Sequence, residues 1–443
     1  MEETTPLTTS RKRIRAWAMF DWSNSAYNLV ITSTIFPAYY TAITATEHGD
    51  MVKFFGISFV NTALANYALA FSYLLMAISL PVLSAIADAR NNRKTMMKSF
   101  TLIGSVACMG LFFFKRDTLE WGIICSMLAA MGYIGGVLFN NSYLPEIAGP
   151  EDQDRVSAQG FAYGYIGSVL LQILCFLFVL KPEWFGITDP SLPPRISFLL
   201  VGVWWLGFAQ ITFRNLPGEK REKRKLNHTI LQQGFTELRK VIAEVKGDQA
   251  LKRYLPAFFF TAMGVQTVML VAAAFGEKIL HLGTSKLIIT ILLIQVVAIA
   301  GAYLLSLWAK RFGNIRTLAI ALCIWIGICI MAYGLSSELQ FYILAVLVGC
   351  VMGGIQSLSR STFSKLIPAH TRDHASFFSL YDVTEKIAIV VGLFTFALIE
   401  ELTHNIRYSA LSLSLFFLVG LLLLFRVPAV SALKGSRSSE QSK

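Results

Sequence analysis

Apolar residues run through this chain in long blocks, with little strand-like alternation. Stretches of roughly 20 residues, enough to cross a hydrocarbon core as a helix, recur from end to end. Short segments rich in Lys, Arg, Asn, Gly and Pro separate them. The pattern predicts spans near Ile14–Ile43, Asn61–Ala87, Thr95–Phe114, Leu119–Tyr143, Val156–Leu180 and Arg195–Phe213. A second set follows near Leu251–Phe275, Ser285–Ala309, Ile315–Leu335, Gln340–Leu358, Ala375–Glu400 and Ser409–Phe425. Pro37, Pro81 and Pro256 fall inside spans and predict kinks, which membrane helices tolerate when neighbours satisfy the freed carbonyls.

Composition fits this pattern. Of 443 residues 55% are hydrophobic and 15% charged, against about 25% charged in ordinary soluble domains. The net charge of +12 would suit nucleic acid, but the basic residues lie in short inter-span segments and form no stripe or base-stacking module. Most of the 39 Lys and Arg gather at one end of the spans, so the positive-inside rule puts both termini in the cytoplasm; the membrane expected is a bacterial inner (plasma) membrane. The basic stretch Arg11–Arg15 leads straight into a long span, as in an uncleaved signal-anchor. Cys108, Cys125, Cys175, Cys323, Cys329 and Cys350 all lie in apolar runs without metal-like spacing and read as small hydrophobes.

The largest basic segment divides the chain. Residues 1–213 form one six-helix unit, 214–250 a cytoplasmic linker, and 251–443 a second six-helix unit. Within the linker a polar run, Pro217–Asn227, precedes Leu231, Phe235, Leu238, Val241, Ile242 and Val245 at helical spacing. These predict an amphipathic helix lying on the inner membrane surface. A tether between two halves explains it more simply than a regulatory docking site.

The two units repeat each other. One constant offset carries Gly135-Gly136 onto Gly353-Gly354, Pro150 onto Pro368 and Tyr163 onto Tyr381. Parallel six-helix repeats are the layout of the major facilitator superfamily, which this chain resembles in its span count and basic central loop. The fold expected is therefore an all-α membrane protein of twelve transmembrane helices in two pseudo-symmetric halves. Gly132 and Gly136, Gly160 and Gly164, and Gly349 and Gly353 form GxxxG pairs that predict close helix packing.

Charges inside spans are the candidates for chemistry, because such groups face the protein interior or a wet cavity. In FDWSNSAYNLV, Asp21, Asn24, Ser25 and Asn28 form one polar stripe on the first span. Asp21 either serves transport or pairs with Arg15 or a neighbouring helix. After the second span, Asp88-Ala-Arg90-Asn-Asn-Arg93-Lys94 resembles the superfamily's inner-loop signature. That resemblance implies an inner gate in which Asp88, with Arg90 and Arg93, faces the N-terminus of the eleventh span. Asn91-Asn92 stands where glycines are usual, and the alternative is a basic loop that only fixes topology. On the eleventh span Asp382 and Lys386 are spaced for an i, i+4 ion pair, leaving Glu385 without a partner and free to carry a proton. A self-neutralised structural cluster is the equal alternative. Gln356, Asn140 and Asn141 are further polar groups on cavity-type helices.

FDWSNSAY, NNSYLPEIA (Asn140–Ala148), RVSAQGFAYGY (Arg155–Tyr165) and GVQT (Gly264–Thr267) resemble the autophagy-related vacuolar effluxer family over nearly the whole chain. The resemblance implies the twelve-helix fold and export of amino acids or similar solutes. It marks Gln266 and Thr267 as cavity groups and Lys386 as a family-type basic position, while Met263 stands where the family commonly has an acid. The expected partners are a small-molecule substrate, the lipid bilayer and protons, with the chain a monomer. No phosphate-binding loop, nucleophile motif or metal pair is visible, so neither enzyme activity nor a cofactor is expected. The expectation is a secondary active transporter of a small polar solute, an amino acid or other zwitterion, with proton coupling as one option. A uniporter or a non-transporting receptor on the same fold is the alternative.

Overall fold

The computed structural model describes residues 10–45, 51–217, 230–368 and 371–428. Most of the run Pro217–Asn227 and both chain ends lie outside the described residues.

The first span is one helical run in three parts: α1 (Arg11–Ala26), a π-helical segment (Tyr27–Thr34) and α2 (Ile35–Thr44). Pro37 has no N–H to give the carbonyl four residues back, which favours irregularity just upstream. Within the π segment the Ser33 and Thr34 hydroxyls donate to the carbonyls of Asn28 and Leu29, five residues back. Before the second span comes a hairpin that hydropathy did not predict, β1 (Met51–Phe54) with β2 (Ile57–Val60). Its two turn residues, Phe55 and Gly56, both have positive φ, as a two-residue primed turn requires.

Then come α3 (Asn61–Arg90), α4 (Arg93–Gly110), α5 (Leu119–Asn141), the short α6 (Leu144–Ile147), α7 (Gln153–Leu180) and α8 (Leu192–Asn215). The linker helix α9 (Ile230–Gly247) leads into α10 (Gln249–Leu280), α11 (Thr284–Phe312), α12 (Asn314–Tyr333), α13 (Glu338–Leu366), α14 (His374–Thr403) and α15 (Ile406–Leu424). Among the described residues 10 helices are long and apolar enough to cross a membrane. The first run, with its polar stripe, and α14, with Asp382, Glu385 and Lys386 inside it, are two further long helices, which is consistent with two sets of six.

One boundary differs most from expectation. Hydropathy ended the tenth span at Leu358, whereas α13 continues to Leu366. The polar run from Ser357 to Ser364 stays helical because it is buried between α7 of the first half and α10 and α12 of the second rather than released into a loop. The linker helix also packs on the protein itself. Val241 is fully buried, and α9 packs against α3 and the neighbouring ends of α10 and α14. Lys240 donates to Asp373 at 2.9 Å, and this bond holds the Lys240 amine above its ordinary pKa.

Small residues set the closest approaches. A Cβ on Gly132 would collide with the backbone of Gly104 on α4, and one on Gly353 with the Ala298 carbonyl on α11. Across the halves, α3 lies against α14 and α7 against α11, two related contacts flanking the pseudo-symmetry axis.

Candidate functional site

The two halves meet through polar contacts concentrated at the basic end. Asn91 ends α3 in the left-handed conformation, supplying without glycine the turn that aims Asp88 across the interface. The Asp88 carboxylate accepts from the backbone N–H groups of Ala375 and Ser376 at 3.3 and 2.7 Å, and from the Ser376 hydroxyl at 2.8 Å. It thus sits on the N-terminus of α14, where the helix dipole favours a negative charge. Arg93 lies 3.7 Å from Asp88 and also binds Glu146 at 2.5 Å. Arg90, grouped with them from sequence, has a buried Nε with no hydrogen-bond partner among the described residues. Asp88 pairs with Arg93 because the turn between α3 and α4 brings the start of α4 back beneath it.

A second contact joins α7 to α11, α12 and α13. Asp154 accepts from Lys365 at 2.5 Å, from Ser361 at 2.7 Å and from Asn314 at 2.8 Å. Lys365 also donates to the Asn314 side chain at 3.1 Å. These residues escaped the sequence reading because they lie at span ends, where a charge reads as topology.

Above these contacts lies a cavity of about 200 Å³ lined by both halves. From the first half come Asp21, Asn24, Ser25, Asn28, Tyr73, Tyr133 and Asn141; from the second come Gln266, Gln356, Arg360, Asp382, Glu385 and Lys386. Asp21 does not pair with Arg15. It binds Arg360 of α13 at 3.1 Å, a buried arginine just past the predicted end of the tenth span. Asn140 also approaches Asp21, at 3.4 Å. Asn24 faces the cavity with its Nδ2 unpartnered among the described residues.

The charges on α14 are arranged differently from expectation. Lys386 binds its neighbour Glu385 at 2.7 Å, not Asp382 four residues back. The long ammonium arm swings to Glu385 because Gln266 of α10 donates to the other Glu385 oxygen at 2.8 Å and holds that carboxylate in place. Glu385 is therefore fully partnered. Asp382 is the acid left over: it is buried, lines the cavity, and its Oδ2 has no hydrogen-bond partner among the described residues. In all, two cations face three carboxylates.

Gln356 bridges the halves, accepting from the Tyr165 hydroxyl at 2.9 Å and approaching the Met269 sulfur at 3.1 Å. Thr267 does not belong to the cavity wall. Its hydroxyl donates to the Met263 carbonyl and packs where Gly392 leaves room on α14, because it lies on a different side of α10 from Gln266. Met263 is buried in the same packing. Among the described residues no cluster of metal-ligating side chains occurs.

Two six-helix halves around a shared polar cavity define a transporter of the major facilitator superfamily. Solved structures with a similar fold include the transporter FucP in its outward conformation, with a TM-score of 0.70 at 11% identity over 95% of this chain and 100% of that one. Residues 9–436 match the family described as "Vacuole effluxer Atg22 like", and the chain belongs to that family. It is 30% identical over 419 residues to the MFS-type transporter YxiO of Bacillus subtilis (strain 168), covering 94% of this chain and 95% of that one. Autophagy-related protein 22-2 of Emericella nidulans is 24% identical over 88% of this chain and 80% of its own. The protein is a multi-pass membrane transporter and not an enzyme.

Proposed function

We propose that this transporter exports a small solute bearing an ammonium group, an amino acid or other zwitterion, by alternating access of the cavity to the two membrane faces. The observation that carries this reading is the unpartnered carboxylate of Asp382 in a cavity whose other charges are paired. A buried charge without a partner is costly, so the site favours a cation. Asp21–Arg360 and Glu385–Lys386 are already neutralised, which makes Asp382 the place for that cation.

Protons enter at the same carboxylate. In the empty carrier a proton replaces the solute's ammonium on Asp382, and competition for one site gives antiport. This assignment moves the proton from Glu385, whose two oxygens are both bound.

Counterflow of amino acids into proteoliposomes tests the reading. Asp382→Asn should weaken solute binding by roughly tenfold to a hundredfold, the worth of a charge-assisted hydrogen bond. Glu385→Gln should retain solute-coupled proton movement. Counterflow unchanged in Asp382→Asn would place the cation elsewhere, and exchange with no proton movement would make the protein a uniporter.

A further inference from the structure

The guanidinium of Arg360 belongs to two structures at once. It lines the cavity, and it ties α13 to the first half. Its Nη1 donates to Asp21 at 3.1 Å and to Asn141 at 3.0 Å, its Nε to the Ser157 hydroxyl at 2.9 Å, and its Nη2 to the Ser157 carbonyl at 2.9 Å. The rings of Trp17 and Phe161 cover it, with centroids 4.8 and 4.3 Å from Cζ. Every one of these partners is in the first half, on α1, α5 or α7.

The rest of the strip continues the attachment toward the basic end. The Ser157 hydroxyl donates to the Ser357 carbonyl at 2.7 Å, and just beyond Arg360 come the contacts of Ser361 and Lys365 with Asp154. Opening at the basic end requires this strip to leave α7. Arg360 is the charged residue of the strip that a solute can reach, since the cavity wall includes it and Asp21 together.

We propose that Arg360 is the catch through which an occupied cavity releases the basic-end closure. An acid group of the solute competes with Asp21 for the guanidinium, and α13 then parts from α7. This rests on the transport reading above: the ammonium goes to Asp382 and the acid group to Arg360. At Arg360 the exchange is of hydrogen bonds and ion pairs only; the one proton that moves is the one the ammonium displaces from Asp382. Asp21 takes back Arg360 when the solute leaves.

Hydrogen–deuterium exchange of the full chain in lipid nanodiscs, read over residues 153–160 and 357–366, tests this. Without solute, Arg360→Gln should raise exchange there by roughly tenfold or more, because local opening sets the protection. Asp21→Asn, which keeps the side chain's shape, should raise exchange in the same peptides, and the double variant should add little to either. In the unaltered protein a mixture of α-amino acids should raise exchange, and the matching decarboxylated amines should not. Arg360→Gln should lose that response to the amino acids. Unaltered protection in both single variants overturns the catch. So does an equal rise with amines and amino acids, because release would then not need the acid group. Failure of the transport reading has a separate signature: no solute of either mixture shifts the melting temperature or supports counterflow.

Discussion

At the residue scale, the site shows how far a helical wheel can be trusted for charges. Spacing alone favoured Asp382 with Lys386, and the structure gives Lys386 to Glu385 because a glutamine on another helix fixes that carboxylate. The polar stripe of Asp21, Asn24 and Asn28 was readable, since period and polarity are local properties, and all of it faces the cavity. Arg360 was not readable as Asp21's partner: the two are far apart in sequence, and an arginine after a hydrophobic run looks like the start of a basic loop. Gly160 gives a test of this packing. An alanine Cβ there would stand 2.5 Å from Asp21 Oδ2 and 2.8 Å from both Arg360 Nη2 and the Trp17 ring. None of these groups has room to withdraw without giving up its own contacts. Gly160→Ala should therefore cost about 1–3 kcal/mol, as overpacked sites do, read as a lowered thermal midpoint in detergent. An unchanged midpoint would mean that α1 and α7 can separate without loss.

At the element scale, hydropathy located the spans well because a bilayer imposes the same requirement on every helix: length and apolarity. It failed where burial in protein replaces burial in lipid. Ser357, Ser359, Arg360, Ser361, Thr362 and Ser364 are all buried, and each would lower a hydropathy average enough to end a span. The π-helical segment was hidden for a different reason, since it depends on hydroxyl–carbonyl bonds and on Thr34 meeting Gln172 of α7, which no one-dimensional pattern encodes. The α13 extension makes a definite prediction through Lys365 and Asp154. Lys365→Met leaves Asp154 buried with only neutral partners, and breaking a buried pair from one side costs about 3–5 kcal/mol. Adding Asp154→Leu removes the stranded charge, so the double variant should recover most of that loss. Unfolding midpoints of the two single variants and the double form the cycle. Simple additivity would show that the two side chains do not interact.

At the scale of the whole molecule, the two halves are held shut at the basic end by two related contacts, α3 on α14 and α7 against α11 and α13. The repeat of Gly135-Gly136 in Gly353-Gly354 pointed to paired halves, but not to which ends would touch, because closure depends on a few side chains from helices distant in sequence. Asp88 carries the α3–α14 contact. It accepts from two backbone N–H groups and a hydroxyl at a helix start, with Arg93 beside it. Asparagine at position 88 keeps the size and one acceptor oxygen but loses the charge that the α14 N-terminus and Arg93 both stabilise. The closed state loses more than the open one, in which position 88 is hydrated and charge matters less. Asp88→Asn should thus shift the population toward opening at the basic end by about tenfold, for a difference near 1.4 kcal/mol between charged and neutral hydrogen bonding. The direct measurement is amide exchange at Ala375 and Ser376, the two residues whose N–H groups Asp88 accepts. Faster exchange there should accompany slower solute capture from the opposite face, since that face opens only while the basic end is shut. If both amides keep their protection in Asp88→Asn, the α7 contacts alone hold the closure and the carboxylate on α3 is not a gate.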